Sequence, residues 1–110
     1  MAYDEDLATR IRELLAGENA ITEKKMFGGL AFLLNGNMAV AASGQGGLLV
    51  RVDPASSEDV LSKPHASLMV MRGRPMDGWL RVGAEGVRTK RELAPWVKRG
   101  VTYAKTLPAK

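Results

Sequence analysis

The sequence has no cysteine and only one histidine among its 110 residues. The missing thiols exclude disulfides, cysteine-held iron–sulfur clusters, thiolate zinc sites and cysteine nucleophiles. Acid–base chemistry based on imidazole would have to use His65, in KPHAS, and no nucleophile-elbow pattern surrounds the serines near it. We therefore interpret His65 as a loop residue and expect no enzymatic activity, no cofactor and no metal site.

Long hydrophobic runs are also missing. No apolar segment approaches the roughly 18 residues that a membrane helix needs, and the first ten residues, MAYDEDLATR, are acidic where a signal peptide would be basic. Aromatic residues make up only 5% of the chain, yet 45% of it is hydrophobic. A chain of this length and composition can bury one core without disulfides or metals. We expect one cytoplasmic domain over residues 1–110.

The glycines do not form a phosphate-binding motif. A dinucleotide fingerprint needs three glycines between a strand and a helix, and a P-loop needs Gly-Lys-Ser/Thr at a helix start. Here Gly28 and Gly29 lead into an apolar strand pattern, and SGQGG at 43–47 separates two strand patterns. These glycines are therefore expected to shape turns rather than to bind phosphate.

Periodicity in the first half predicts one helix followed by strands. An acidic cluster at residues 4–6 precedes apolar residues at helical spacing, which is typical of a capped helix that ends near Gly17. From Ile21 to Asp53 the pattern favours three antiparallel strands, with Asn35-Gly36 as a two-residue hairpin turn. The segment at 30–34 is apolar on both faces, so it is expected to be central or to be covered by a partner.

The second half predicts two helices and two strands. A short helix is expected after Pro54 and before Pro64, then a strand at 68–71, a loop at 72–78 and a strand in WLRV. Thr89 and Glu92 form the T-x-x-E capping box of a last helix. Pro95 within its apolar stripe predicts either a kink or the first turn of a second helix. The expected fold is α+β, with two layers, about five antiparallel strands and three helices in the order α-β-β-β-α-β-β-α.

Charge is unevenly distributed along the chain. Residues 1–60 hold five basic and nine acidic groups, whereas residues 61–110 hold eleven basic and three acidic ones. This asymmetry indicates a basic face for an acidic partner, complementary faces of an oligomer, or charges that simply mix on the folded surface. The candidate interaction surface consists of cations in the second half: Arg72, Arg74, Arg88, Lys90, Arg91, Lys98 and Arg99. The internal methionines are interpreted as core residues, with an adaptable binding surface as the alternative.

Several motifs resemble the N-terminal domain of the TfoX/Sxy family of bacterial competence regulators. They are ITEKKMFGGLAFLLNGNMAV, LLVRVDP, RGRPMDGWLRV and WVKRGVTYAKTLP, and the likeness covers about residues 5–108. The most specific residues are Lys25, Met26, Phe27, Gly28, Gly29, Gly73, Arg74, Pro75, Met76, Trp79 and Trp96. The resemblance implies a fold similar to that of secretion chaperones and a structural role for these motif residues.

The resemblance also implies a function. Family regulators are thought to act as transcriptional co-activators with a protein partner, and their second, C-terminal domain has no counterpart here. We therefore expect a stand-alone, non-enzymatic regulatory domain that acts through protein contacts, with a transcription factor as a possible partner and a homodimer as its state. Two alternatives stay open: direct nucleic-acid binding through the basic surface, and a small-molecule-binding or enzymatic domain that uses His65.

Overall fold

A computed structural model of the chain describes residues 4–26, 28–44, 46–56, 61, 63, 65–71 and 73–109. The helices and strands are α1 (Glu5–Leu14), β1 (Ile21–Met26), β2 (Gly29–Leu34), β3 (Asn37–Ala42), β4 (Leu48–Arg51), β5 (Ala66–Met71), β6 (Arg74–Val82) and α2 (Lys90–Lys105). Short 3-10 turns lie at Pro54–Ser56 and Ala84–Gly86.

The described strands form one antiparallel sheet in the order β1-β2-β3-β4-β6-β5. The predicted α+β class is therefore confirmed. The predicted count of five strands is wrong, because the described part of the chain holds six. Two α-helices have described bounds where three were predicted; the predicted middle helix falls largely on residues 57–60, 62 and 64, which lie outside the described residues, and Leu61 between them is α-helical.

The additional strand is β1, which the sequence pattern did not separate from β2. The chain reverses at Gly28, whose φ of 74° is in the left-handed region that glycine tolerates. Met26 then lies opposite Gly29 in the ladder. A Cβ on Gly29 would collide with the carbonyl oxygen of Ala42, so this position in the sheet requires glycine. The hairpin at Asn35-Gly36 is confirmed, with φ values of 52° and 84° between β2 and β3.

The prediction of a loop over 72–78 is also wrong. The residues from Arg74 onward belong to β6, and Pro75 lies opposite Val70 in the ladder with β5. Proline has no N–H to donate, so it fits an antiparallel ladder at a position whose N–H would have no bonding role. The register shifts between Leu68 and Met69, where β6 accommodates Gly78 at a φ of 82°. The sequence signals of proline and glycine thus marked an irregular strand, not a loop.

Both helices pack against the same face of the sheet. Leu7 and Ile11 of α1 and Leu93 of α2 are buried in the main core with Phe32 of β2 and Leu80 of β6. Gly100 lets α2 approach β3 closely, because a Cβ at this position would collide with the Ala39 carbonyl oxygen. The predicted amphipathic faces of both helices therefore cover one side of the sheet.

The other face of the sheet carries a second, smaller core. Ala31, Met38, Ala41, Leu49 and Met69 are buried there, with Leu33 and Trp79 packed against them. β2 is accordingly buried on both faces within a single chain. Its two apolar faces therefore give no support to the predicted homodimer, which stays a prediction. Met38 and Met69 are core residues as expected, and the side chains of Met26 and Met71 lie outside the described residues.

The helix ends follow the predicted capping chemistry. The carboxylate of Asp4 accepts hydrogen bonds from the backbone N–H groups of Asp6 and Leu7, at 2.9 and 3.2 Å. The hydroxyl oxygen of Thr89 accepts from the N–H of Glu92 at 3.1 Å, and the two side chains also bond to each other. α2 is one helix from Lys90 to Lys105 with Pro95 inside it, which excludes the second of the two alternatives for Pro95, a separate helix that starts there.

Candidate interaction surface

The basic residues of α2 and of the segment just before it are mostly exposed, but they do not all lie on one surface. Arg88, Lys90, Arg91 and Lys98 are exposed, and Arg99 is half-buried. Lys90 forms an ion pair with Glu13 of α1 at 3.3 Å, and at the other end of α2 Lys105 pairs with Glu18 at 3.1 Å. These pairs join the basic second half of the chain to its acidic first half. Part of the charge asymmetry is therefore neutralised within the domain.

Lys98 and Arg99 border a groove that we call the Asp53 groove. Its volume is about 380 Å³, and its other walls come from Pro95, Thr102 and Tyr103 of α2 and from Val52 and Asp53 after β4. No ion pair of either cation occurs among the described residues. The groove thus combines an apolar floor with two cations at its border, of which Lys98 is exposed and Arg99 is half-buried with its guanidinium 5.9 Å from the ring centre of Trp96.

A second groove, which we call the His65 groove, adjoins the first, because Pro95 and Arg99 line both. Its volume is about 430 Å³, and it is also lined by Lys63, His65, Gly86, Glu92 and Trp96. His65 has a φ of 68°, an unusual backbone conformation for a residue other than glycine. The predicted loop position of His65 is confirmed, and the structure adds that the residue faces a groove. Both volumes lie within the range of ligand-binding clefts.

The acidic residues of the two grooves are engaged in local bonds. Asp53 accepts a hydrogen bond from the backbone N–H of Ala55 at 3.0 Å. Glu92 receives the hydroxyl of Thr89 at 3.2 Å as part of the cap of α2. Each carboxylate thus has one oxygen committed to a helix start or turn. The cations Lys63, Lys98 and Arg99 therefore dominate the part of the surface that can meet a partner.

The guanidinium of Arg51, at the end of β4, lies between two aromatic rings next to the Asp53 groove. Its central carbon is 5.0 Å from the ring centre of Trp79 and 5.7 Å from that of Tyr103. Cation–π contacts of this length bind β4, β6 and α2 together. Arg51 has no local sequence signal, because its partners are 28 and 52 positions away along the chain. The contact fixes Tyr103 as a wall of the groove.

The other predicted surface residue that can be described is Arg74, which is exposed at the start of β6. It follows the β5–β6 turn and does not line either groove. Arg72, like Phe27 among the motif residues, lies outside the described residues. The predicted surface is therefore split between α2 and a hairpin turn, and the grooves add residues that the sequence did not indicate, above all Lys63, Pro95 and Tyr103.

Some of the motif residues that can be described lie in a turn or a core, and others are exposed. Gly73, with a φ of 78°, makes the turn between β5 and β6, and Trp96 is buried between α2 and the sheet. Trp79 is half-buried in the second core beneath Arg51. Lys25 and Pro75 are exposed, and Met76 is half-buried opposite Met69. A structural role for the motif as a whole stays a prediction.

The described residues show neither a metal-binding cluster nor a membrane-spanning helix. In that part of the chain, no group of three or more histidine, cysteine, aspartate or glutamate side chains is placed to hold a metal ion. None of its helices combines the length and the apolar character needed to cross a membrane. We call the Asp53 groove and the His65 groove together the α2 grooves; both are larger than a third groove of about 260 Å³ between α1 and α2.

The described residues form a small α+β domain. It has one six-stranded sheet, a layer of helices on one face of the sheet, and two grooves beside α2 that are bordered by basic residues. The family model of the TfoX N-terminal domain matches residues 13–104. The chain therefore belongs to the TfoX N-terminal domain family, and a TfoX-like regulatory role is supported at the level of that family. Comparison with curated proteins and with solved structures found no match.

Proposed function

We propose that this chain is a non-enzymatic regulatory domain that acts by binding another protein through the α2 grooves. Membership of the TfoX N-terminal domain family supports the regulatory part of the proposal. The observation that carries the binding part is the placement of Lys63, Lys98 and Arg99 around two adjoining grooves with apolar floors. We take a transcription factor as the expected class of partner and the cytoplasm as the expected location.

Charge and shape together favour an acidic protein segment as the occupant. Apolar side chains of the partner would enter beside Pro95, which lines both grooves, and carboxylates would meet the cations at the rim. Opposite charges across such an interface raise the association rate and select the partner, while the desolvated apolar contacts supply most of the affinity. The grooves lie side by side along one helix, which suits an elongated segment better than a compact small molecule.

Capture of partners from the native host tests this proposal. The variant Lys98→Glu/Arg99→Glu reverses two charges at the grooves, and Lys24→Glu/Lys25→Glu reverses two exposed charges on β1 as a matched control. We expect one or more proteins, identified by mass spectrometry, to bind the wild-type chain and the control but not the α2 variant. Equal capture by all three proteins would show that the α2 grooves are not the binding surface.

Direct nucleic-acid binding is the competing function, and the exposed cations Arg88, Arg91 and Lys98 are the observation that favours it. The described residues offer no exposed pair of aromatic rings for base stacking, since Trp96 is buried and Trp79 lies under Arg51. Any binding would therefore be to phosphates and would weaken steeply with salt. Titration of labelled duplex and single strands at 50 mM salt decides the matter, and absence of binding there would eliminate this function.

A further inference from the structure

The two edges of the sheet differ in a way that suggests an interface. The edge strand β1 carries Glu23, Lys24 and Lys25, all exposed, and charged side chains on an edge prevent pairing with other chains. The opposite edge strand, β5, has the sequence ASLMVM and no charged residue. Within the described part of the chain, one edge of this sheet thus carries charges that oppose pairing, and the other carries none and has no strand beside it.

An exposed hydrophobic side chain marks the unprotected edge. Val70 of β5 is 62% exposed, and it is the one large hydrophobic residue with an exposed side chain among the described residues. Leu68, two residues earlier and on the same face of the strand, is only half-buried. Pro75, opposite Val70 on β6, is exposed as well. An apolar strip therefore follows the free edge of β5 on the helical side of the sheet.

The hydrogen-bond pattern shows which backbone groups this edge presents. The N–H of Gly83 donates to the carbonyl of His65 at 2.9 Å, so this opposed pair is a hydrogen-bonded one. Bonded and non-bonded pairs alternate along a regular antiparallel ladder, so Leu68 directs its N–H and C=O groups away from β6. Val70 lies beyond the register shift between Leu68 and Met69, but residues two apart on an extended strand direct their backbone groups to the same side, so Val70 does likewise. Pro75, which has no N–H, lies opposite Val70 and fits this assignment. The N–H of Ala66 is already bonded to the carbonyl of Lys63 at 3.4 Å.

We propose that β5 pairs with β5 of a second copy of this chain, antiparallel and in register about a two-fold axis at Met69. In this register Leu68 and Val70 of one copy lie opposite Val70 and Leu68 of the other, and their outward groups can form about four hydrogen bonds. The exposed Val70 then covers the half-buried Leu68 of the second copy. The sheets of the two copies become one continuous sheet.

A second copy suits this edge better than an unrelated strand. The outward groups of Leu68 and Val70 satisfy each other when the strand is repeated by a two-fold axis, which is the self-complementarity that symmetric dimers need. With no charge on β5, its repetition brings no like charges together within the strand pair. One short edge buries little area, so the dimer is expected to be weak and to dissociate on dilution. This inference does not depend on the proposed function, because the α2 grooves are formed by other residues.

Sedimentation velocity over a concentration series tests the association. Wild-type protein is expected to shift from monomer toward dimer as concentration rises. Val70→Lys places a charge on the apolar strip at an exposed position that folding does not require, and it is expected to stay monomeric. Thr22→Lys, at an exposed position on β1, is the matched control and is expected to behave like wild type. A monomeric wild type at all concentrations, or a Val70→Lys variant that still associates, would overturn the proposal.

Disulfide trapping tests the register, because the cysteine-free chain provides a clean background. At the two-fold axis, Met69 of each copy would form a non-bonded pair with Cα atoms about 4.5 Å apart, within the range of a disulfide. Met69→Cys is therefore expected to give a covalent dimer under mild oxidation. The Cα atoms of the two Ser67 residues would be about 14 Å apart along the strands, so Ser67→Cys is expected to stay unlinked.

The trapping result distinguishes this interface from others. If Ser67→Cys links as readily as Met69→Cys, or if neither links while wild type associates, the proposed register is wrong. Thermal unfolding of each variant confirms that it is folded before the result is interpreted. Loss of association in Val70→Lys with retained capture of host proteins would separate this interface from the α2 grooves, and the α2 variant Lys98→Glu/Arg99→Glu should show the reverse.

Discussion

The substitution Gly100→Ala gives the sharpest test of how α2 sits on the sheet. In an exposed helix interior, alanine is more favourable than glycine by about 0.8–1.0 kcal/mol. A helix assessed from its sequence alone would therefore be stabilised by this change. In the folded domain, a Cβ on Gly100 would collide with the Ala39 carbonyl oxygen and would come within 2.9 Å of Cγ1 of Val40. Because of this collision, we expect Gly100→Ala to destabilise the domain, whereas helix propensity alone predicts that it stabilises the domain.

The size of the stability loss depends on which atoms can move to relieve the collision. A side chain such as Val40 can adjust, but the carbonyl of Ala39 belongs to β3, which is paired on both sides. The helix itself must shift outward and weaken the packing of its neighbours Trp96 and Val101. Overpacking of a core costs about 1–3 kcal/mol, and the backbone contact places this case at the upper end. After the gain in helix propensity is subtracted, we expect a net loss of about 2 kcal/mol in the free energy of unfolding.

Thermal and chemical unfolding measure this loss. For a domain of this size, a loss of about 2 kcal/mol lowers the Tm by roughly 8 °C. Gly17→Ala is the control, because a Cβ there meets nothing within 4 Å and the residue does not have positive φ. It is expected to leave stability unchanged or to raise it by up to about 1 kcal/mol. A Gly100→Ala variant as stable as wild type would refute the close packing of α2 on β3.

Three further predictions concern the core, a helix cap and pH. Phe32→Ala should lower the free energy of unfolding by about 3–5 kcal/mol in denaturant titrations, because Phe32 is fully buried; a loss below about 1 kcal/mol would contradict its core position. Thr89→Ala should cost about 1 kcal/mol by removing the cap of α2, whereas Thr89→Ser should retain most of that stability. The Arg12 guanidinium, bonded at 2.7 and 2.9 Å, holds the pKa of Glu23 below its ordinary value of 4.5. This exposed pair should contribute about 0.2–1 kcal/mol above that pH, and the contribution should vanish as pH falls through the lowered pKa. The stability difference between wild type and Glu23→Gln should therefore shrink in acid, and a difference that does not change with pH would exclude this origin.

Local chemistry in the sequence determined the features that depend on neighbouring residues. Asn35-Gly36 specified a hairpin turn because both positions need positive φ, and Thr89 with Glu92 specified a helix start because the first N–H groups of a helix need acceptors. Apolar spacing of 3.6 residues identified α1 and α2 and placed their buried faces correctly. Each of these signals acts over a few positions, so it survives in a single sequence without knowledge of the fold.

Tertiary structure alone decided which distant residues meet. Pro75 is accepted in β6 because its missing N–H lies on a non-bonded pair, and this depends on the register with β5. Arg51 meets Trp79 and Tyr103 only after β4, β6 and α2 have assembled. The same assembly divides the predicted basic residues, turning Lys90 toward Glu13 and leaving Lys98 and Arg99 at the grooves. The sequence specifies the charges, whereas long-range packing determines which of them a partner can reach.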